Sequence, residues 1–106
     1  MECTISITNS LGLHARAAAK FVHTAGRFIS RIRVSKGGRE MDGKSIMGLL
    51  LLAASQGSSI TISTAGPDEA AAMDALCDLV RRGFDEASID PAHGAAFGPG
   101  KDTPWS

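Results

Sequence analysis

The chain contains no tyrosine, and aromatic residues of all kinds make up only 5% of it. Platforms that stack nucleic-acid bases need aromatic faces, so this scarcity argues against single-strand binding. Charge of one sign is also missing: 11 Lys and Arg balance 11 Asp and Glu. No overall field therefore draws in a polyanion or an anionic bilayer. The longest apolar run, Leu49 to Ala54, falls far short of the roughly 20 residues needed to span a membrane. Met1-Glu2-Cys3-Thr4 lacks the basic and apolar regions of a signal peptide. A soluble cytosolic protein with neither nucleic-acid nor membrane partners is expected. The two cysteines, Cys3 and Cys77, lack CxxC spacing and form no disulfide framework. Each lies on an apolar periodic face, as buried free thiols do. His14, His23 and His93 are scattered without metal-ligand spacing, so neither a metal nor another cofactor is expected.

What is present suffices for one small domain with a single two-layer core: 106 residues, 43% of them hydrophobic. From Glu2 to Thr8 polar and apolar residues alternate, with Cys3, Ile5 and Ile7 on one side of a half-buried strand. A loop over Asn9-Ser10-Leu11-Gly12 leads into a helix predicted from about His14 to Arg27. There Ala18, Phe21, Val22 and Ala25 recur at helical spacing. Ile32 and Val34 mark a strand over Ile29 to Ser35, Gly37-Gly38 reads as a hairpin turn, and Arg39 to Met41 as a short edge strand.

Asp42-Gly43-Lys44-Ser45 opens a short helix predicted from Ile46 to about Ala53, ended by Gln56-Gly57. Ser58 to Thr64 forms a fourth strand with Ile60 and Ile62 inward. Gly66-Pro67-Asp68-Glu69 starts the last helix, since proline suits a first turn and acids complement the dipole. Its predicted buried stripe is Met73, Leu76, Cys77, Val80 and Phe84. The order βαββαβα predicts an α/β open-faced two-layer sandwich, a four-stranded antiparallel sheet with three helices on one face. That domain is expected over residues 1–86. Beyond it, Asp90-Pro91, Gly94, Gly98-Pro99-Gly100 and Thr103-Pro104 break all periodicity, and residues 87–106 are expected to form a Gly/Pro-rich mobile tail.

Chemistry concentrates in Gly12-Leu13-His14-Ala15-Arg16, directly before an alanine-rich amphipathic segment. This arrangement sets an imidazole and a guanidinium at the amino end of a helix, where unpaired amides and the dipole favour an anion. A neutral ring nitrogen of His14 can attack phosphorus, and Arg16 can donate charge-assisted hydrogen bonds to phosphoryl oxygens. Ser45 reads as an N-cap. Nearly every residue behind it is apolar, from Ile46 and Met47 through Leu49, Leu50, Leu51 and Leu52. A short helix buries only one stripe, so part of this run must form an exposed docking patch. The basic residues Arg27, Arg31, Arg33, Lys36 and Arg39 read as a solvated sheet face.

Gly12-Leu13-His14-Ala15-Arg16 resembles the phosphorylation motif of HPr, the phosphocarrier of the bacterial phosphotransferase system. Lys44-Ser45-Ile46-Met47-Gly48 resembles the same family's regulatory serine segment, and the similarity spans about Glu2 to Glu86. This resemblance implies that His14 accepts a phosphoryl group on Nδ1 from Enzyme I and passes it to a IIA-type protein, with Arg16 stabilising it. It implies a regulatory role for Ser45, with an HPr kinase/phosphorylase as a further partner. It also implies partner contacts at Ala15, Ala19, Ile46, Met47 and Leu50 of a monomeric carrier that is not itself an enzyme. Carbohydrate-type members commonly have proline after the arginine, where this chain has Ala17. Ala17-Ala18-Ala19-Lys20-Phe21 looks more like the nitrogen-related branch, NPr. Two rival readings stand beside this one. One is a small-ligand or protein-binding regulatory module whose His14 is never phosphorylated. The other is a hydrolase with His14 as base, which lacks any identifiable Ser or Cys nucleophile with a supporting acid.

Overall fold

The alternation of apolar residues in the four strand segments is realised as one antiparallel sheet. In the computed structural model, which describes residues 1–86, these are β1 (Glu2–Ser6), β2 (Arg31–Lys36), β3 (Arg39–Asp42) and β4 (Ser59–Ala65). They lie in the order β1-β4-β2-β3, with every pairing antiparallel. Register follows the inward residues: Cys3 pairs with Ile62 and Ile62 with Val34, a row that crosses three strands on the core face. On the outer face Thr4 and Thr61 share a hydroxyl hydrogen bond of 2.9 Å. Between β2 and β3, Gly37 and Gly38 both take positive φ (57° and 85°), the conformation a tight two-residue hairpin demands.

Three helices, α1 (Ala15–Ala25), α2 (Ile46–Leu51) and α3 (Glu69–Arg81), cover one face of the sheet. The expected α/β two-layer sandwich is therefore the fold. Ala17, Ala18, Phe21 and Ala25 form the buried stripe of α1. Small alanines let its backbone approach its neighbours closely, while Phe21 fills the space between. Ala72, Met73, Leu76, Cys77, Leu79 and Val80 do the same for α3. Each large side chain so buried contributes about 1.5–3 kcal/mol.

Two expected boundaries are corrected. α2 stops at Leu51, short of Ala53, because Ala53 adopts positive φ (50°). The turn brings the buried Ala54 against the entry to α1, where its carbonyl accepts the Leu13 amide at 2.8 Å. At the other end of the domain, Phe84 does not belong to the α3 stripe. It is buried from a separate turn, Gly83–Asp85, whose residues all have positive φ (64°, 57° and 64°). Left-handed conformation at Phe84 and Asp85 costs of order 1–3 kcal/mol each, so the surrounding structure must enforce it. Complete burial of the Phe84 ring and a 2.8 Å hydrogen bond from Lys20 Nζ to the Phe84 carbonyl do so. Cys77 is the buried thiol expected, whereas Cys3 is only partly buried. The predicted tail, with Trp105, lies outside the described residues.

Candidate functional site

The loop before α1 turns sharply at Gly12 (φ +67°). A Cβ there would stand 2.6 Å from the Ala54 carbonyl oxygen, so only glycine fits. The turn delivers His14 to the N-cap position of α1, in extended conformation and with no side chain capping the helix. The first-turn amides that follow it present the positive end of the helix. Ala15 and Arg16 are exposed on this turn, and Ala19 is exposed one turn later. The residues of the first motif thus converge on a half-exposed imidazole at an open helix end.

His14 also has a partner that sequence reasoning did not single out. Its Nε2 is hydrogen-bonded to Glu86 Oε2. The other carboxylate oxygen, Oε1, accepts from Asn9 Nδ2 at 2.9 Å, and Asn9 Nδ2 also donates to the Gly12 carbonyl at 2.8 Å. Glu86 and Asn9 are both buried. Their involvement links the loop before His14 to residues 72 positions further on. The only trace in the sequence is a polar residue on each side of otherwise apolar packing, which no local pattern distinguishes from a surface position.

The second motif occupies α2. Ser45 caps it, its Oγ accepting the Gly48 amide at 3.0 Å. The apolar run divides as a six-residue helix must. Leu49 and Leu52 are buried and Leu50 packs partly against the core, whereas Ile46 (42%), Met47 (67%) and Leu51 (50%) remain exposed. Leu50, partly buried, lies between the buried and the exposed residues of this run. Because Leu13 is hydrogen-bonded to Ala54, the His14 site borders the carboxyl end of α2. Ser45 stands at the other end, one helix length away, about 9 Å at 1.5 Å per residue. Elsewhere, burial first, and then the neighbouring Cys3, push the Cys77 thiol up to about 11, which marks it as an inert packing group. Among the described residues no helix is long and apolar enough to cross a membrane.

The family model described as "PTS HPr component phosphorylation site" matches residues 1–82. The phosphocarrier protein HPr of Cupriavidus necator is 53% identical over 81 residues, covering 76% of this chain and 91% of that protein. The phosphocarrier protein NPr of Shewanella violacea is 43% identical over 88 residues, covering 83% and 97%. Among solved structures, an HPr from Thermoanaerobacter tengcongensis superposes with a TM-score of 0.79 at 48% identity, covering 81% of this chain and 97% of that one. Fold and sequence together define a small α/β phosphocarrier. The chain belongs to the HPr family of the bacterial phosphotransferase system. Proteins of this family carry phosphoryl groups between phosphotransferase-system components such as Enzyme I and IIA proteins, and are not catalysts in their own right.

Proposed function

We propose that His14 is the phosphoacceptor, taking a phosphoryl group on Nδ1 from Enzyme I and passing it to a IIA-type protein in the cytoplasm. The observation that carries this reading is the uncapped amino end of α1. His14 occupies the cap position there without its ring satisfying the helix amides. A phosphoryl group on the ring then meets backbone N–H donors and the positive dipole end, and needs no metal to be held. Arg16, exposed two residues further on, supplies a planar fork of donors to the same oxygens. Moderate stabilisation suits a carrier, which must also release its cargo. Ile46, Met47 and the partly exposed Leu50 on α2, with Ala15 and Ala19 on α1, form the surface on which successive partners dock, and the exposed Leu51 extends it. In this reading residues 1–86 are the carrier domain, acting as a monomer without turnover of its own. Ser45 is its regulatory position, modified by an HPr kinase/phosphorylase.

Incubation of the full chain with Enzyme I and phosphoenolpyruvate tests the proposal. An acid-labile phosphoryl group should appear on wild type and be absent from a folded His14→Ala variant. Arg16→Ala should slow the transfer, and Arg16→Lys should recover only part of the rate, because a point charge lacks the planar fork. Label on His14→Ala would overturn the assignment. No label on wild type would favour a binding module that is never phosphorylated.

A further inference from the structure

We propose that Cys3 and Cys77 form an oxidative modification site: a peroxide oxidises Cys3, and Cys77 then closes a disulfide that staples β1 to α3. The proposal is independent of the phosphocarrier reading and draws on neither sequence motif.

The fold brings the two thiols together from opposite ends of the domain. Cys3 stands on the core side of β1, opposite Ile62 of β4. α3 packs across those same two strands, and Cys77 belongs to its buried face. Both are free thiols, and they are the chain's whole complement of cysteine. They stand close enough that, after burial, the Cys3 thiol is the main influence on the Cys77 proton. Met73, one turn earlier on α3, accepts the Cys77 S–H at 3.5 Å, so three sulfurs gather within the apolar packing.

The two thiols differ in the way a two-step oxidation requires. Cys3 is only half-buried, on a strand at the edge of the sheet, where a small solute reaches its sulfur. Cys77 is 4% exposed, and its raised pKa keeps it a protonated thiol near neutral pH. On its own Cys77 is inert toward solutes. It reacts only with a sulfur already held against it, where proximity replaces collision. Cys3 is thus the thiol that meets the oxidant, and Cys77 the one that resolves it.

In the first step the Cys3 sulfur attacks one oxygen of hydrogen peroxide and the O–O bond breaks. Cys3 becomes a sulfenic acid, and the departing hydroxide leaves as water with the thiol proton. In the second step the Cys77 sulfur attacks the Cys3 sulfur. The S–O bond breaks, and the hydroxide leaves as a second water with the Cys77 proton. Two thiols have lost two electrons to one peroxide, which ends as two waters. Exchange with a small reducing thiol reverses the bond. The staple joins the first strand to the last helix and closes most of the domain into one covalent loop, which removes entropy from the unfolded chain. In a reducing compartment such a bond is transient and follows the oxidant.

The test exposes the full wild-type chain to stoichiometric hydrogen peroxide at neutral pH, followed by alkylation under denaturing conditions and peptide mass spectrometry. Both cysteines should escape alkylation, and a linked peptide should join Cys3 to Cys77, lighter by two hydrogens than its separate halves. Dithiothreitol should restore both thiols. The bridged protein should melt on the order of 10 °C above the reduced one. In Cys77→Ala, Cys3 should stop at a sulfenic acid that dimedone captures; should that variant fail to fold, Cys77→Ser takes its place. In Cys3→Ser, Cys77 should remain a free thiol under the same exposure. Wild-type thiols still open to alkylation would overturn the proposal. So would sulfinic or sulfonic acid at Cys3 without a linked peptide, or a bond between two chains in place of the internal one. Oxidation of Cys77 in Cys3→Ser would overturn the order of the steps, and a bridged protein that melts no higher would overturn the staple.

Discussion

Asp68 shows how one side chain can be claimed by the tertiary structure. Its position before α3 suggests service to the helix dipole, yet its side chain makes no capping hydrogen bond. Instead the carboxylate accepts the Ser30 hydroxyl and the amides of Ile29 (3.0 Å) and Ser30 (2.9 Å), tying the start of α3 to the entry of β2. Ser30 Oγ in turn accepts the Asp68 amide at 3.2 Å. The Ser30 hydroxyl above all, then the Ile29 amide, hold the carboxyl below the usual carboxylate range. A depressed folded pKa means the unfolded chain takes up the proton first as pH falls. The stabilisation is thus fully present above the unfolded value and is lost as pH drops through the folded one. Asp68→Asn should therefore lower the thermal midpoint at pH 7. The gap from wild type should narrow as the pH falls below the ordinary aspartate value of about 3.9, which melts recorded from pH 7 down into the acid range would reveal; a gap independent of pH would show that the brace does not depend on the charge.

At the scale of the element, α2 combines a stability role with a surface role. Six residues cannot sustain a helix alone, so Ser45 at its cap and Leu49 in the core must hold it. Ser45→Ala should cost about 1 kcal/mol, the usual loss for a missing N-cap, measured by denaturant melts. Ser45→Asp keeps an oxygen acceptor at the cap and a negative charge favourable to the dipole, so the fold should persist. The same charge beside the exposed Ile46 and Met47 must be desolvated when a partner covers them. Calorimetric titration should therefore show weaker binding of Enzyme I to Ser45→Asp than to wild type. Equal affinities would leave Ser45 a helix cap and nothing more. Because Ser45 sits at the end of α2 away from His14, this effect should fall on docking rather than on the transfer step within the complex.

For the molecule as a whole, the turn at Gly83–Asp85 couples stability to the site. The fully buried Phe84 holds a strained backbone in place, and that backbone delivers Glu86 to His14. Phe84→Ala should cost about 3–5 kcal/mol as a core truncation. It should also slow phosphoryl uptake beyond what lost stability explains, since the turn can then relax and withdraw the carboxylate. Transfer rates measured well below the variant's melting temperature separate the two effects. A destabilised variant with wild-type transfer would uncouple the turn from the site.

Much of this architecture was legible from local chemistry. Alternation such as Cys3, Ile5 and Ile7 or Ile60 and Ile62 dictates strands with one buried face, because a strand's side chains repeat every two residues. Ala18, Phe21 and Ala25 dictate a helix for the corresponding reason at 3.6. Gly37-Gly38 specifies its turn, and Gly12 to Arg16 puts a histidine and an arginine at a helix start. Each of these signals lies within a few residues of its consequence. Where α2 stopped, the brace at Asp68 and the Asn9–Glu86–His14 chain were decided only in three dimensions. Ala53 turns because Ala54 must reach Leu13, 41 positions away in sequence. Phe84 leaves the α3 stripe because its ring is needed in the core, even at the cost of a left-handed backbone. Glu86 meets His14 because that turn sends it there. A hydrogen bond between distant residues depends on where the packed core places both ends, and no local periodicity records that.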